Sequence, residues 1–169
     1  RLTDKTMEEN FSFPKMEEEV LKRWKERDLF KKSYRADRPR YSFYDGPPFA
    51  TGLPHYGHLL ASTLKDIVPR YWTMKGFAIE RRWGWDCHGL PIEQEIDKKF
   101  HFKSTEDIEK FGIANYNREC REIVMRHVDD WRHVIDRLGR WVDFDHDYKT
   151  MDVTFMESVW WVIGELWKK

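Results

Sequence analysis

Apolar residues recur along the chain in a few well-separated patterns, each pointing to one kind of element. In FPKMEEEVLKRWKERDLF, residues 13 to 30, Met16, Val20, Trp24 and Leu29 share a stripe and Pro14 suits a first turn, which predicts one amphipathic helix. YSFYD, residues 41 to 45, alternates aromatic and polar and predicts a short strand. From His58 to Lys75 apolar residues recur at 60, 64, 67/68, 71 and 74, a helix that Gly76 stops and that Pro69 should kink or divide. FAIERRW, residues 77 to 83, is a second strand, and IEQEIDKKF, residues 92 to 100, returns to helix. Ser104 or Thr105 can cap a short helix ended by Gly112. A long helix is expected from about Ala114 to Leu138. Thr154 and Glu157 form a capping-box pattern before a last helix that carries Met156, Trp160, Ile163 and Trp167.

Strand, loop, helix, strand, loop, helix is the order of a βαβ unit, which builds a parallel sheet. The expected fold class is therefore α/β. Residues 1–40 would form an N-terminal helical extension, closed by the basic connector KSYRADRPR at residues 32 to 40, and residues 41–169 would form the sheet domain. Ligands of such sheets bind beyond the carboxyl ends of the strands. Both glycine-rich loops, GPPFATGLPHYGH at residues 46 to 58 and GWDCHGLP at 84 to 91, leave those ends and should lie side by side on one rim.

Composition narrows the setting. Charged residues make up 36% of the 169, yet 16% are aromatic, nine of them Trp, which argues for a packed core rather than disorder. Thirty basic residues balance thirty acidic ones, so net charge names no partner. Between Lys22 and Arg40, nine Lys or Arg face three Asp or Glu, which fits either a solvated surface or a contact with phosphate groups. Cys87 and Cys120 form no CxxC pair, as expected of a reduced, intracellular protein. No apolar run approaches a membrane span, and the polar start RLTDKTMEEN has no signal-peptide core. The chain starts without Met and stops on a helical pattern, so a piece of a longer protein is expected.

The first loop has the chemistry of an anion site. Gly46 and Gly57 let backbone approach a ligand, and Pro47 and Pro48 stiffen the chain. His55 and His58 are three apart at a helix mouth, where free N–H groups and the helix dipole favour negative charge. Such a site suits a phosphate gaining charge in a displacement, by electrostatics and without a protein nucleophile. On spacing alone, a plain structural turn remains open. In the second loop Asp86 can receive an ammonium group or cap its own loop's N–H groups. Zinc held by His55, His58, His88 and Cys87 is disfavoured, because helical zinc pairs sit at i and i+4 and Cys87 has no partner thiol. DFDHD, residues 143 to 147, lacks the glycine and glutamate of a calcium loop and reads as an acidic turn.

These two loops resemble a known family. GPPFATGLPHYGH is similar to the first signature of the class I aminoacyl-tRNA synthetases, whose His-x-Gly-His motif reads here as His55-Tyr56-Gly57-His58. GWDCHGLPIE resembles the isoleucyl members, where valyl enzymes usually read GTDHAG and leucyl ones GWDAFGLP. RLGRWVDFDHDYKTM and MESVWWVIGELWKK, residues 137–151 and 156–169, extend the likeness, which runs from about residue 11 to the end and suggests the eukaryotic cytoplasmic and archaeal-like branch. Tyr56 departs from the usual Ile of the motif, and Thr51 stands where many relatives have Asn.

The resemblance implies the first half of a Rossmann-like parallel-sheet nucleotide-binding domain, ending near an editing insertion. It implies that His55 and His58 are catalytic, binding the ATP phosphates and stabilising the transition state, with Gly57 admitting adenine. Gly46 and Pro47 would line the amino-acid pocket and Asp86 would hold the substrate ammonium. ATP with Mg²⁺, isoleucine and tRNA(Ile) are the implied ligands, without protein-bound zinc, without a membrane and in the cytoplasm. Nothing in the residues speaks for or against a multi-synthetase complex. No Lys-Met-Ser-Lys-Ser signature occurs, so the 169 residues alone are expected neither to edit nor to form adenylate at a useful rate. Two other readings compete: a non-catalytic RNA-binding module of the same fold, and a zinc hydrolase.

Overall fold

A computed structural model describes residues 11–169. The reading of residues 1–10 as a polar start without a signal core lies outside the described residues. The element order is α1 (Phe13–Glu26), α2 (Leu29–Ser33), α3 (Tyr56–Met74), β1 (Arg82–Trp85), α4 (Leu90–Phe100), α5 (Thr105–Phe111), α6 (Ile113–Ile123), α7 (Val128–Leu138), β2 (Asp143–Lys149) and α8 (Val153–Trp167).

The architecture is α/β with a parallel sheet. β1 pairs with β2, Arg82 opposite Asp143, Gly84 opposite Tyr148 and Trp85 opposite Lys149. The expected strand at 41–45 shrinks to an isolated parallel bridge between Arg40 and Ala78. Ala78 N–H donates to the Pro39 carbonyl at 2.9 Å and Tyr41 N–H to the Ala78 carbonyl at 3.0 Å. Beyond Tyr41 the chain leaves the ladder, and at residue 45 the carbonyl accepts the Tyr148 hydroxyl instead. The second expected strand, 77–83, is this bridge followed by β1.

β2 replaces the acidic turn expected at 143–147. Its sequence, DFDHDYK, is too polar to read as a strand, and the pairing is irregular between Arg82 and Gly84. Asp143 explains both. Its Oδ1 accepts the N–H groups of Asp145 at 2.9 Å and His146 at 3.1 Å, a turn-like side-chain bond built into the strand.

Two expected helices divide. The 13–30 helix breaks at Asp28, which adopts the left-handed conformation (φ 50°, ψ 45°), so Leu29 falls in α2. The 114–138 helix breaks between Ile123 and Val128, and at that break His127 N–H leaves the helical pattern to bond the Ala50 carbonyl at 3.1 Å. A tertiary partner overrides an unbroken apolar period there. Pro69, buried, does not divide α3. The Thr154/Glu157 capping box does not form either. Asp152 takes the N-cap position, and Phe155 and Met156 bond its carbonyl. Ser104 and Gly112 cap α5 as the sequence predicts.

The core lies between the sheet and α4, α6 and α7. Trp83, Trp85, Trp131, Ile92, Ile96 and Ile135 are each under 2% exposed. Phe144 of β2 stacks on Trp83 at 4.5 Å. Each buried Trp removes roughly 150–250 Å² from water, about 4–6 kcal/mol by transfer. Ala50, from the middle of the first glycine-rich loop, belongs to this same cluster. That loop is therefore anchored in the core. α8, by contrast, leaves Trp160, Trp161 and Trp167 exposed.

Candidate active site

The first loop runs from Asp45 to the start of α3 with its backbone pinned along one side. Gly46, Pro48, Ala50 and Gly52 each give their carbonyl to a fixed donor. The donors are Lys65 Nζ at 2.7 Å, Asp86 N–H at 2.9 Å, His127 N–H at 3.1 Å and Trp131 Nε1–H at 2.8 Å. Alternate groups of an extended chain face the same way. Four donors on one side thus hold a segment that has almost no regular structure of its own.

At the end of the loop the two histidines interlock. His55 is the N-cap of α3, and its Nδ1 accepts the Gly57 N–H at 3.1 Å. His58 Nδ1 accepts the His55 N–H at 3.2 Å in return. The rings stack at 3.7 Å and 27°. His58 also rests against Trp131 at 4.7 Å. A ring nitrogen that accepts carries no proton, so both imidazoles are neutral and each keeps its proton on Nε2. Burial, then the neighbouring His55 and Lys65, hold His58 below the usual histidine pKa of 6.5. At the helix mouth the Gly57 N–H, one of the free N–H groups expected there, is thus taken by His55, and the Nε2–H groups of the two rings are the donors left to a ligand. Gly57 has a geometric reason to be glycine, since a Cβ there would sit 3.0 Å from His55 Cε1.

The second loop meets the first through the Asp86 N–H to Pro48 bond, which joins the amino-acid residues expected from sequence on one rim. Asp86 Oδ1 accepts the His88 N–H at 3.1 Å, while Oδ2 has no hydrogen-bond partner among the described residues. One oxygen of Asp86 thus braces its own loop, as the second reading expected, and Oδ2 takes no part in that bond. Gly89, at φ 99°, makes the turn into α4. Cys87 is buried and points its Sγ at the Trp85 carbonyl, 3.6 Å away, and burial pushes its thiol pKa up. A thiol held protonated is a poor zinc ligand. Among the described residues no group of three or more His, Cys, Asp or Glu could hold a metal ion.

Several residues that the motifs did not flag complete the site. Thr150, buried just after β2, accepts the Cys87 N–H at 2.8 Å and bonds His88 Nδ1 at 2.9 Å. Tyr148 sends its hydroxyl to the Asp45 carbonyl at 2.7 Å. Arg140 and Lys65 converge on Asp45. Lys65 had a sequence signal, standing at i+7 from His58 on the same helix face. Arg140 and Thr150 lie in the 137–151 stretch that carries the family likeness, but no local pattern assigned them to the site, since only the fold brings them here.

The chain matches a family model, tRNA synthetases class I (I, L, M and V), over residues 19–169. It belongs to that family. It is 60% identical over 161 residues to the cytoplasmic isoleucine–tRNA ligase of Arabidopsis thaliana, covering 94% of this chain and 14% of that one. The cytoplasmic isoleucine–tRNA ligase of Saccharomyces cerevisiae is also 60% identical, over 95% of this chain and 15% of its own length. A bacterial isoleucine–tRNA ligase, from Treponema denticola, is 57% identical over 98% of this chain and 15% of its own length. Eukaryotic and bacterial members are thus similar to nearly the same degree. The chain spans about one seventh of the length of these relatives. Among solved structures, LeuRS of Agrobacterium radiobacter K84, in a ternary complex with tRNA and LeuAMS, superimposes with a TM-score of 0.61. That likeness covers 90% of this chain and 17% of that one at 17% identity, and it supports the α/β fold. No described helix is long and apolar enough to cross a membrane.

Proposed function

We propose that this chain supplies half of the site at which a class I synthetase joins isoleucine to ATP, forming isoleucyl-adenylate and pyrophosphate, before transfer to tRNA(Ile). The observation that carries the proposal is the interlocked His55–His58 pair at the mouth of α3, on the same rim as Asp86.

In this reading the isoleucine carboxylate attacks the α-phosphorus of ATP in line. The bond from that phosphorus to the bridging oxygen breaks, and pyrophosphate leaves with its electron pair. The Nε2–H groups of His55 and His58 donate to phosphate oxygens as charge grows on them. Because both rings are already locked by their Nδ1 bonds, little reorganisation is needed during the step. Gly57 leaves the helix mouth open to adenine, Gly46 and Pro47 border the amino acid, and Asp86 Oδ2 takes the ammonium. Their contribution is positioning, which raises the effective concentration of the carboxylate at phosphorus. A hydroxyl of the terminal tRNA ribose then attacks the acyl carbon and AMP leaves. Mg²⁺ would travel with the ATP phosphates, and the described residues form no ligand set for it. We assign this role to the cytoplasm.

The test is isoleucine-dependent ATP–pyrophosphate exchange in the full-length protein. Replacing His58 by Ala removes one donor to the transition state and should lower kcat about 100- to 1,000-fold. A His58→Ala protein that retains its fold and exchanges within a few-fold of the parent overturns the assignment. The isolated 169 residues should show no exchange.

A further inference from the structure

Asp45 stands immediately before the amino-acid half of the site, with its side chain only 3% exposed. A carboxylate withdrawn from water must bring its countercharge with it. Here it brings two. Arg140, also 3% exposed, pairs through Nη2 with Asp45 Oδ2, and Lys65 Nζ lies 2.8 Å from Oδ1. Arg140 is itself fixed, donating to Ser62 Oγ at 3.3 Å and lying 5.0 Å over the Trp83 ring.

One cation suffices to neutralise Asp45, and Arg140 is the more buried of the two. Lys65 is 30% exposed and reaches beyond the pair to donate to the Gly46 carbonyl at 2.7 Å. Its approach to Oδ1 is a charge contact without hydrogen-bond geometry, so its directed bond is the one to Gly46. Lys65 also shares a face of α3 with His58 and Ser62, spaced i, i+4 and i+7. One rigid helix therefore carries the phosphate-binding imidazole at its mouth and the anchor of the Gly46 backbone two turns later.

We propose that Lys65 is a positioning residue for amino-acid recognition. Held by Asp45, which Arg140 fixes in turn, its ammonium sets the Gly46 carbonyl and so the Gly46–Pro47 backbone that borders isoleucine. Lys65 touches no reacting atom in this scheme. The inference rests on the activation reaction proposed above, and its test separates the two.

Lys65→Met keeps length and helix propensity but loses the charge and the donor. In the full-length protein it should raise the KM for isoleucine about 10- to 100-fold, while the KM for ATP stays within about threefold. Lys65→Arg, which keeps the charge and donors, should restore most of the loss. Hydrogen exchange over residues 45–52 should quicken in Lys65→Met while that over 82–85 stays unchanged. An isoleucine KM within about threefold of the parent, or an ATP KM rising in step with it, overturns the proposal. If the parent shows no isoleucine-dependent exchange, the assigned reaction fails. The hydrogen-exchange arm then still decides whether Lys65 anchors the loop, and unchanged exchange over 45–52 says it does not.

Discussion

Gly84 offers the most demanding test of how β2 is joined to the site. It lies opposite Tyr148 across the parallel ladder, and a methyl group there would overlap Cζ, Cε1 and the hydroxyl oxygen of that ring. Tyr148 has no easy retreat. Its hydroxyl donates to the Asp45 carbonyl at 2.7 Å, and its ring stacks on Phe155 at 5.9 Å and 3°. Gly84→Ala must therefore displace a ring pinned at both ends. Overpacking of this kind costs ~1–3 kcal/mol, and loss of the hydroxyl bond adds ~0.5–1.5 kcal/mol, or about 2–4 kcal/mol together. Hydrogen exchange with mass spectrometry on the full-length protein reads this locally. Peptides covering 82–85 and 143–149 should exchange about 30- to 1,000-fold faster, at 1.4 kcal/mol per factor of ten. The partner of the clash can also be removed. In a Tyr148→Ala background, Gly84→Ala should cost under ~0.5 kcal/mol, because the two positions are coupled only through that ring. An equal cost in both backgrounds, or none in either, refutes the packing argument.

Other outcomes follow from single contacts. Thr150→Val removes the bonds to Cys87 N–H and His88 Nδ1, leaves a buried N–H unpaired at a cost of ~1–3 kcal/mol, and should weaken isoleucine binding more than ATP binding, as separate KM values would show. Gly57→Ala should leave thermal stability unchanged or slightly higher, because Ala favours helix by up to ~1 kcal/mol, yet raise the KM for ATP by displacing the His55 ring. Trp131→Phe keeps a ring in the core but frees the Gly52 carbonyl, and should speed hydrogen exchange over residues 50–53. His58 should titrate by NMR below 6.5. The unfolded chain then binds protons more readily than the folded one, so this group's contribution is intact above pH 6.5 and is lost as pH falls through the lower folded value. A His58 titrating above 6.5 contradicts the Nδ1-acceptor arrangement.

Much of the site was legible in the sequence, and the reasons are local. Gly57 and Gly89 report backbone demands that few other residues meet, a close approach to the His55 ring and a positive φ, and His55 and His58 fit a helix mouth by their spacing. The Ser104 and Gly112 caps of α5 are of the same kind: each depends on atoms within four residues. The elements that escaped sequence reading depend on distant partners. β2 is a strand because β1 lies beside it and Phe144 stacks on Trp83; DFDHDYK alternates ring and charged residues, but with four charges in seven it lacks the composition of a strand. The break between α6 and α7 is invisible in an apolar period that continues through it, because it answers to the Ala50 carbonyl. The strand expected at 41–45 shrinks to one bridge at Arg40, and Asp45 beyond it turns inward to Arg140 and Lys65.

By itself, then, the sequence determined the two glycine-rich loops, the helix between them and the residue types on the rim. These rest on short-range conformational preferences and on motifs whose spacing is contiguous. Only the tertiary structure decided how the rim is held: four donors from α3, α7 and two loops on alternate carbonyls, and a buried ion pair 95 residues apart in the chain. No local pattern encodes those contacts. Burial makes unpaired charges and carbonyls costly, and the fold satisfies them with whichever groups it brings within reach.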